Sequence, residues 1–287
     1  MFEMHKQPTI LVTGISSGIG FSIAERLLKS GYFVIGTVRS LKDAEQLVMS
    51  PFAKSFMPLE IDVANQTSIL QAVVKVEHHL QGKKLKALVN NAGISIDGPL
   101  MLQPLDEIKS IFEVNVFGLI AVTQGFLPLL GATSTLSEGS SGRVVNVGSV
   151  SGAITFPFTG AYSASKHAVE ALSQAFRREL MPWGIEVVCV EPSFIRTRMF
   201  KKASERTTSY GGTIYEDMWK RFRNFLSETE ATAKSPKIVV DAVMHAIESD
   251  KPKTRYPLDS IWRVGRILPD RWFDRLLLKA FPFNKAN

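Results

Sequence analysis

Short continuous apolar runs alternate with amphipathic stretches through the first two thirds of this chain, and that alternation leaves few folds open. The runs Thr9 to Thr13 (TILVT), Tyr32 to Val38 (YFVIGTV), Met57 to Ile61, Lys86 to Val89, Arg143 to Val147 and Ile185 to Val190 (IEVVCV) are short and rich in β-branched residues, as strands covered on both faces are. Helical patterns lie between them at Gly18 to Lys29, Ser68 to Leu80, Asp106 to Leu127 and Tyr162 to Met181. Parallel strands joined by right-handed helical crossovers form a doubly wound α/β sheet with helices on both faces. About seven strands are expected, and one such sheet absorbs all 287 residues, so 1–287 reads as a single domain.

Composition narrows the class further. With 45% hydrophobic and 21% charged residues, disordered and fibrous chains are excluded. The one cysteine, Cys189, forms no internal disulfide, and no Cys/His spacing suggests a metal site. A reducing, cytoplasmic setting is expected. The net charge of +7 is unevenly placed: Met1 to Ile195 carries 15 Lys+Arg against 16 Asp+Glu, whereas Arg196 to Asn287 carries 19 against 11. No nucleic-acid partner is expected from so neutral a first part. The opening MFEMHKQPTI is not a signal peptide, and no later segment offers an uninterrupted apolar run long enough to span a bilayer.

Two segments break the alternation. Gly131 to Gly142 is small and polar, a solvated surface insertion. Phe194 to Lys234 is basic and carries Phe200, Tyr210, Tyr215, Trp219, Phe222 and Phe225, which suggests a lid over the sheet's end, with Phe156, Pro157 and Phe158 facing the same pocket. Ser235-Pro236 then supplies an N-cap and a first-turn proline for a helix through Ile247, and a C-terminal extension occupies about 257–287.

Chemistry enters at the first strand-to-helix turn, Thr13-Gly14-Ile15-Ser16-Ser17-Gly18-Ile19-Gly20, where backbone amides and a helix N-terminus can hold a pyrophosphate. Gly14 allows the tight turn, Gly18 the approach of phosphate, and Gly20 close packing of helix on strand. The TGxxxGIG spacing, within a Rossmann-like sheet, resembles the short-chain dehydrogenase/reductase family, and further marks of that family follow in order. Asp62-Val63 ends the third strand, Asn90-Asn91-Ala92-Gly93 the fourth, Asn115 lies in the long helix, and Ser149 follows the fifth strand. Tyr162 and Lys166 form Tyr-x-x-x-Lys, 13 residues after Ser149. The match is firm from Thr9 to Thr197 and looser beyond.

That resemblance implies a set of roles. Asp62 and Val63 would meet the adenine, while Asn91, Ala92 and Gly93 would line the cofactor together with Pro192, Ile195 and Thr197. Tyr162 would be the general acid/base, Ser149 would bind the substrate oxygen, Lys166 would also hold the nicotinamide ribose, and Asn115 would place a water behind Lys166. Tyr162 and Lys166, four apart, share a helical face, so the ammonium is expected to lower the tyrosine pKa from about 10. Ser193 stands where the family usually has glycine, which puts the local backbone shape in question.

Cofactor and substrate follow less directly. After the second strand Val38-Arg39 replaces the acid that binds ribose hydroxyls, and Arg39, with Ser16 and Ser17, suits a 2′-phosphate, so NADP(H) is expected, with NAD the alternative. Apolar walls and a weaker resemblance around Thr254-Arg255-Tyr256-Pro257 to retinol, 17β-hydroxysteroid and type 1 3-hydroxybutyrate dehydrogenases imply a hydrophobic alcohol or ketone. A small hydroxy acid with NAD is the rival enzyme reading, and a non-catalytic nucleotide-binding scaffold the rival of another class. Asp270 to Phe281 places Trp272, Phe273, Leu276, Leu277, Ala280 and Phe281 on one face of a basic amphipathic helix, which packs on its own domain or a second subunit, or else lies on a membrane surface. The family resemblance implies a homodimer or homotetramer.

Overall fold

The computed structural model describes residues 7–133, 142–197, 210–260, 262 and 266–280. Phe200, Phe281, the centre of the polar insertion and the first residues of the chain, all read above, lie outside the described residues.

Seven parallel strands form one sheet: β1 (Thr9–Val12), β2 (Phe33–Val38), β3 (Phe56–Glu60), β4 (Ala87–Asn90), β5 (Arg143–Val147), β6 (Glu186–Glu191) and β7 (Arg255–Pro257). Their order is β3-β2-β1-β4-β5-β6-β7, so the chain winds outward from β1 and then crosses back to β4. Leu11 pairs with Ile35 on one side and Leu88 on the other, and Val145 lies between Val89 and Val188. Reversal of the winding direction opens a crevice at the carboxyl ends of β1 and β4, where α/β sheets of this type bind ligands.

Both faces are covered, which explains the unbroken apolar runs. On one face α1 (Gly18–Lys29) and α6 (Lys237–Glu248) bury Ile23, Leu27, Val239 and Val243 against Val12, Val145 and Val190. On the other, α2 (Gln66–Leu80) and α3 (Leu105–Leu130) bury Ile69, Val76, Val122 and Phe126 against Leu11, Ile35 and Leu88. A fully enclosed side chain such as Leu11 or Phe126 contributes about 2 kcal/mol by burial. Asn65 caps α2, its Oδ1 accepting the Ser68 N–H at 3.0 Å.

α3 is longer than the expected Asp106 to Leu127 and contains a π-helical turn over Glu113–Phe117. By length and composition its 26 residues could cross a membrane, with an 18-residue window of mean hydropathy 1.5, although Asp106, Glu107, Lys109 and Glu113 interrupt the apolar run. Burial of Val122, Phe126 and Leu130 in the core accounts for that composition. α6 begins one residue later than expected: Pro236 flanks the helix rather than opening it, and Ser235 Oγ accepts the Lys237 N–H at 3.3 Å.

Beyond β6 the structure departs from the expectation of an open aromatic pocket. Tyr210 and the α5 (Glu216–Thr232) residues Met218, Trp219, Phe222 and Leu226 are buried around Phe158, making a small core of their own. Trp219 and Phe222 lie 5.4 and 5.1 Å from the Phe158 ring. Phe156 takes another direction, toward Phe194 at 6.3 Å and Phe273 of α7 (Asp270–Ala280) at 6.4 Å. Most of these aromatics therefore make the lid a packed unit, and among the described residues a second row runs from Phe156 to Phe194 and on to Phe225 at 5.8 Å, at the edge of that core.

Candidate active site

The glycine turn after β1 is built by close approach. Gly14 and Gly18 have φ of +71° and +62°, a conformation open to glycine at little cost. A Cβ on Gly14 would lie 2.9 Å from Ala92 Cα, and one on Gly20 would lie 2.3 Å from both Asn91 Nδ2 and the Gly14 carbonyl oxygen. The turn is laced to the end of β4: Thr13 Oγ1 accepts the N–H groups of Asn91 (2.9 Å) and Ala92 (3.0 Å), and Asn91 Nδ2 donates to the carbonyls of Thr13 (2.9 Å) and Gly14 (3.0 Å). It is also tied to β2, the Ile15 N–H donating to Thr37 O at 3.0 Å, which brings the turn toward exposed Arg39.

This arrangement fits an anionic dinucleotide. α1 starts after Ser17, whose hydroxyl makes no cap bond, and its first turn holds no acid, so the amides and the positive end of the helix dipole are available to phosphate. Ser16 is exposed beside it and Ile19 packs half-buried on the core. Arg39 makes no ion pair among the described residues. Val63 joins Thr13, Ala92 and Gly118 around a shallow recess, while Asp62 is exposed and its Oδ1 accepts the Ala64 N–H at 3.0 Å. A Cβ on Gly18 would lie 3.2 Å from Thr197, which places the segment after β6 at the same crevice. In that segment Pro192 O accepts the Val150 N–H at 2.7 Å and Ile195 bridges to Lys234. Ser193, out of place against the family pattern, has no positive φ; its Oγ donates to Asp259 at 3.0 Å, so glycine is not required here.

Beside the crevice, the turn after β5 and the helix α4 (Gly160–Glu179) bring Ser149, Tyr162 and Lys166 together. Lys166 Nζ donates to Val147 O at 2.9 Å and stands 5.8 Å from the centre of the Tyr162 ring. Asn115 projects from the π-turn of α3: Oδ1 accepts the Ile94 N–H (2.8 Å), and Nδ2 donates to Ile94 O (2.9 Å) and Ser165 Oγ (3.0 Å). Its carboxamide thus clamps the segment after β4 to α4. A Cβ on Gly93 would sit 3.1 Å from Asn115 Oδ1 and 3.8 Å from Lys166 Nζ, so that glycine keeps the floor between them clear.

Electrostatics correct one expectation. Burial pushes the Tyr162 phenol up to about 12, where the neighbouring cation was expected to bring it down. A hydrogen bond with Ser149 works the other way, and the Asp97 charge adds to the rise. Loss of water around the phenolate dominates, and the neighbouring lysine is itself desolvated: burial brings Lys166 down to about 8. At neutral pH the site therefore holds a protonated phenol, a proton donor.

Other groups were not read from the sequence. Asn90 Nδ2 donates to Thr123 Oγ1 and Asn146 Oδ1, both at 2.9 Å, and Asn146 continues to Ser173 Oγ at 2.9 Å, a buried chain that fixes β4, β5, α3 and α4. Asn90 was visible only as part of Asn-Asn-Ala-Gly. Glu170, one turn after Lys166, was visible by spacing alone.

The pKa of Lys166 gives a testable signature. Its folded value near 8 lies below the unfolded 10.5, so between these pH values the unfolded chain binds more protons and stability rises with pH. Denaturant unfolding of the native chain and Lys166→Met at pH 7.5 and 9.5 should show the native chain gaining about 2 kcal/mol relative to the variant. An equal response of the two proteins would contradict the buried, depressed lysine.

Comparisons with known proteins agree with this geometry. Residues 8–208 match the family model described as short chain dehydrogenase. The chain is 36% identical over 274 residues to the NADPH-dependent 3-dehydrocapnine reductase of Ornithobacterium rhinotracheale, covering 94% of this chain and 95% of that protein. It is 34% identical to the 17-beta-hydroxysteroid dehydrogenase type 6 of Rattus norvegicus, covering 86% and 79%. A solved short-chain dehydrogenase from Streptomyces avermitilis superposes with a TM-score of 0.75 at 27% identity, covering 96% of this chain and 94% of that one. The chain belongs to the short-chain dehydrogenase family of oxidoreductases.

Proposed function

We propose that this protein interconverts a hydrophobic ketone and its alcohol with NADP(H), with Tyr162 as general acid/base. The observation that carries the reading is the placement of the Tyr162 phenol, hydrogen-bonded to Ser149, with Lys166 Nζ 5.8 Å from its ring, at the carboxyl end of the sheet. The nicotinamide cofactor supplies the hydride chemistry when bound. Gly14, Ser16, Ser17, Gly18 and Gly20 present the phosphate-binding turn, Asn91, Ala92 and Gly93 line the crevice, and Thr197 closes it from the segment after β6. Ser149 orients the substrate oxygen by hydrogen bonding, and Tyr162 Oη gives that oxygen its proton in reduction or takes it in oxidation. Lys166, anchored on Val147 O, holds positive charge near the ring and favours the phenolate as the proton leaves. Asn115 keeps α4 in register; the water relay implied for it runs behind Lys166.

Arg39, exposed and without an acidic neighbour on the sequence side of β2, supports NADP(H) through charge-assisted bonds to a 2′-phosphate. The NADPH dependence named for the Ornithobacterium reductase supports the same choice. Phe156, Phe194 and Phe225 support an apolar substrate such as a steroid-, retinoid- or lipid-like carbonyl, in keeping with the hydroxysteroid named for the rat relative. The protein is read as a cytoplasmic homodimer or homotetramer. On α7, Trp272 and Leu276 are 61% and 54% exposed next to Arg271, Arg275 and Lys279, while Phe273 packs on Phe156, so one edge of the helix faces the protein and the other suits the surface of an anionic bilayer.

Turnover of retinal, androstanedione, decanone and acetoacetate with NADPH and NADH tests the substrate class; exclusive use of acetoacetate with NADH would overturn it. Tyr162→Phe should lower kcat by about 10²- to 10⁴-fold with NADPH binding retained, measured by cofactor fluorescence. Arg39→Asp should exchange the preference from NADPH to NADH, read as the ratio of the two dissociation constants. Co-sedimentation should recover the full chain with phosphatidylglycerol vesicles, and Trp272→Glu/Leu276→Glu should abolish it; equal recovery of both proteins would exclude α7 as the contact.

A further inference from the structure

We propose that Glu170, Arg255 and Glu191 form a positioning network that holds Ser149 and Lys166 in place from the buried side of the site. The inference rests on the reading of those two residues given above and assigns roles to residues that touch neither substrate nor cofactor. Glu170 is 5% exposed and stands one helical turn after Lys166 on α4. Its side chain is wedged between the two glycines that bracket the serine turn: a Cβ on Gly148 would lie 3.2 Å from Glu170 Oε1, and one on Gly152 would lie 2.8 Å from Glu170 Cγ. Glu170 therefore fills the space directly behind Ser149, and the turn cannot move toward it.

Arg255, from β7, fastens this wedge to the rest of the sheet. Its guanidinium contacts the Glu170 carboxylate, and its Nε donates to Glu191 Oε1 at 2.7 Å. Glu191 is 1% exposed, ends β6, and immediately precedes Pro192, whose carbonyl holds the Val150 N–H at 2.7 Å. The network thus joins the serine turn, the helix that carries Tyr162 and Lys166, and the segment after β6. Cys189 completes it, donating from Sγ to Glu170 Oε1 at 3.1 Å.

A metal ion is the other reading of this cluster, since ligand atoms of Glu170, Cys189 and Glu191 lie within 4.8 Å of one another. The guanidinium already contacts both carboxylates, and burial pushes the Cys189 thiol up to about 12, which keeps it a donor rather than a thiolate ligand. A purely stabilising role is also a poor fit, because apolar residues fill buried space at least as well as an ion pair. What a planar guanidinium adds is fixed geometry toward two carboxylates at once.

The test compares Glu170→Gln, Arg255→Met, Arg255→Lys and Tyr162→Phe in the full-length chain, using whichever of retinal, androstanedione, decanone and acetoacetate turns over fastest with NADPH. Glu170→Gln leaves Arg255 paired with Glu191 and is the variant most able to fold. A positioning role predicts kcat lower by about 100-fold in Glu170→Gln, with the ketone KM, the NADPH dissociation constant and the melting temperature close to native, a similar loss of kcat in Arg255→Met at a lower melting temperature because two buried carboxylates lose their partner, and partial recovery of both in Arg255→Lys. Native kcat in folded Glu170→Gln and Arg255→Met, beside an inactive Tyr162→Phe, would overturn the network while leaving the catalytic reading intact. Loss of kcat only in step with melting temperature and cofactor binding would overturn it as well. An active Tyr162→Phe would overturn the catalytic reading itself.

Discussion

The contact between the turn after β1 and the end of β4 is the constraint on which the rest of the site depends. Thr13 and Asn91 exchange hydrogen bonds across it at 2.9–3.0 Å, and Gly14 and Gly20 admit backbone and side chain where any Cβ would collide. Because the two strands are neighbours only after the chain has wound out to β3 and returned, this contact closes the topology at its switch point. It also leaves the N-terminus of α1 at the crevice, so the glycines that allow the packing keep that helix end open.

The reacting groups are controlled by burial more than by pairwise charge. Removing water from Tyr162 and Lys166 disfavours the charged form of each, moving the phenol to about 12 and the ammonium to about 8. The two shifts run in opposite directions and leave a neutral phenol beside a lysine that titrates near physiological pH. The charge states of such a pair respond to any further change in their shared local solvation.

The +7 net charge divides along the same line as function. The part up to Ile195 is close to neutral, with 15 Lys+Arg against 16 Asp+Glu, and its exposed Arg39 and buried Lys166 are single placed groups rather than part of a basic surface. The basic excess falls in the last third, where Arg255 is drawn inward to two carboxylates and Arg271, Arg275 and Lys279 stay on the surface of α7. One sequence statistic therefore covers two distinct physical roles, a buried clamp and a solvated face.

Much was legible in the sequence because it follows from local rules. Continuous β-branched runs require a sheet covered on both faces, glycines at fixed spacing require a tight turn, and Tyr162 and Lys166 four apart require a shared helical face. Those rules determined the parallel sheet covered on both faces, the tight turn after β1 and the shared face of Tyr162 and Lys166, while Ser149 joined them only through the family resemblance. They could not determine which aromatic residues face a pocket, since Trp219 and Phe222 meet Phe158 only when the lid folds onto the sheet. Nor could they fix the sign of the Tyr162 shift or join Glu170 to Arg255, 85 positions away in the chain. Desolvation and long-range ion pairing depend on the whole enclosure around a group, and that enclosure exists only in the tertiary structure.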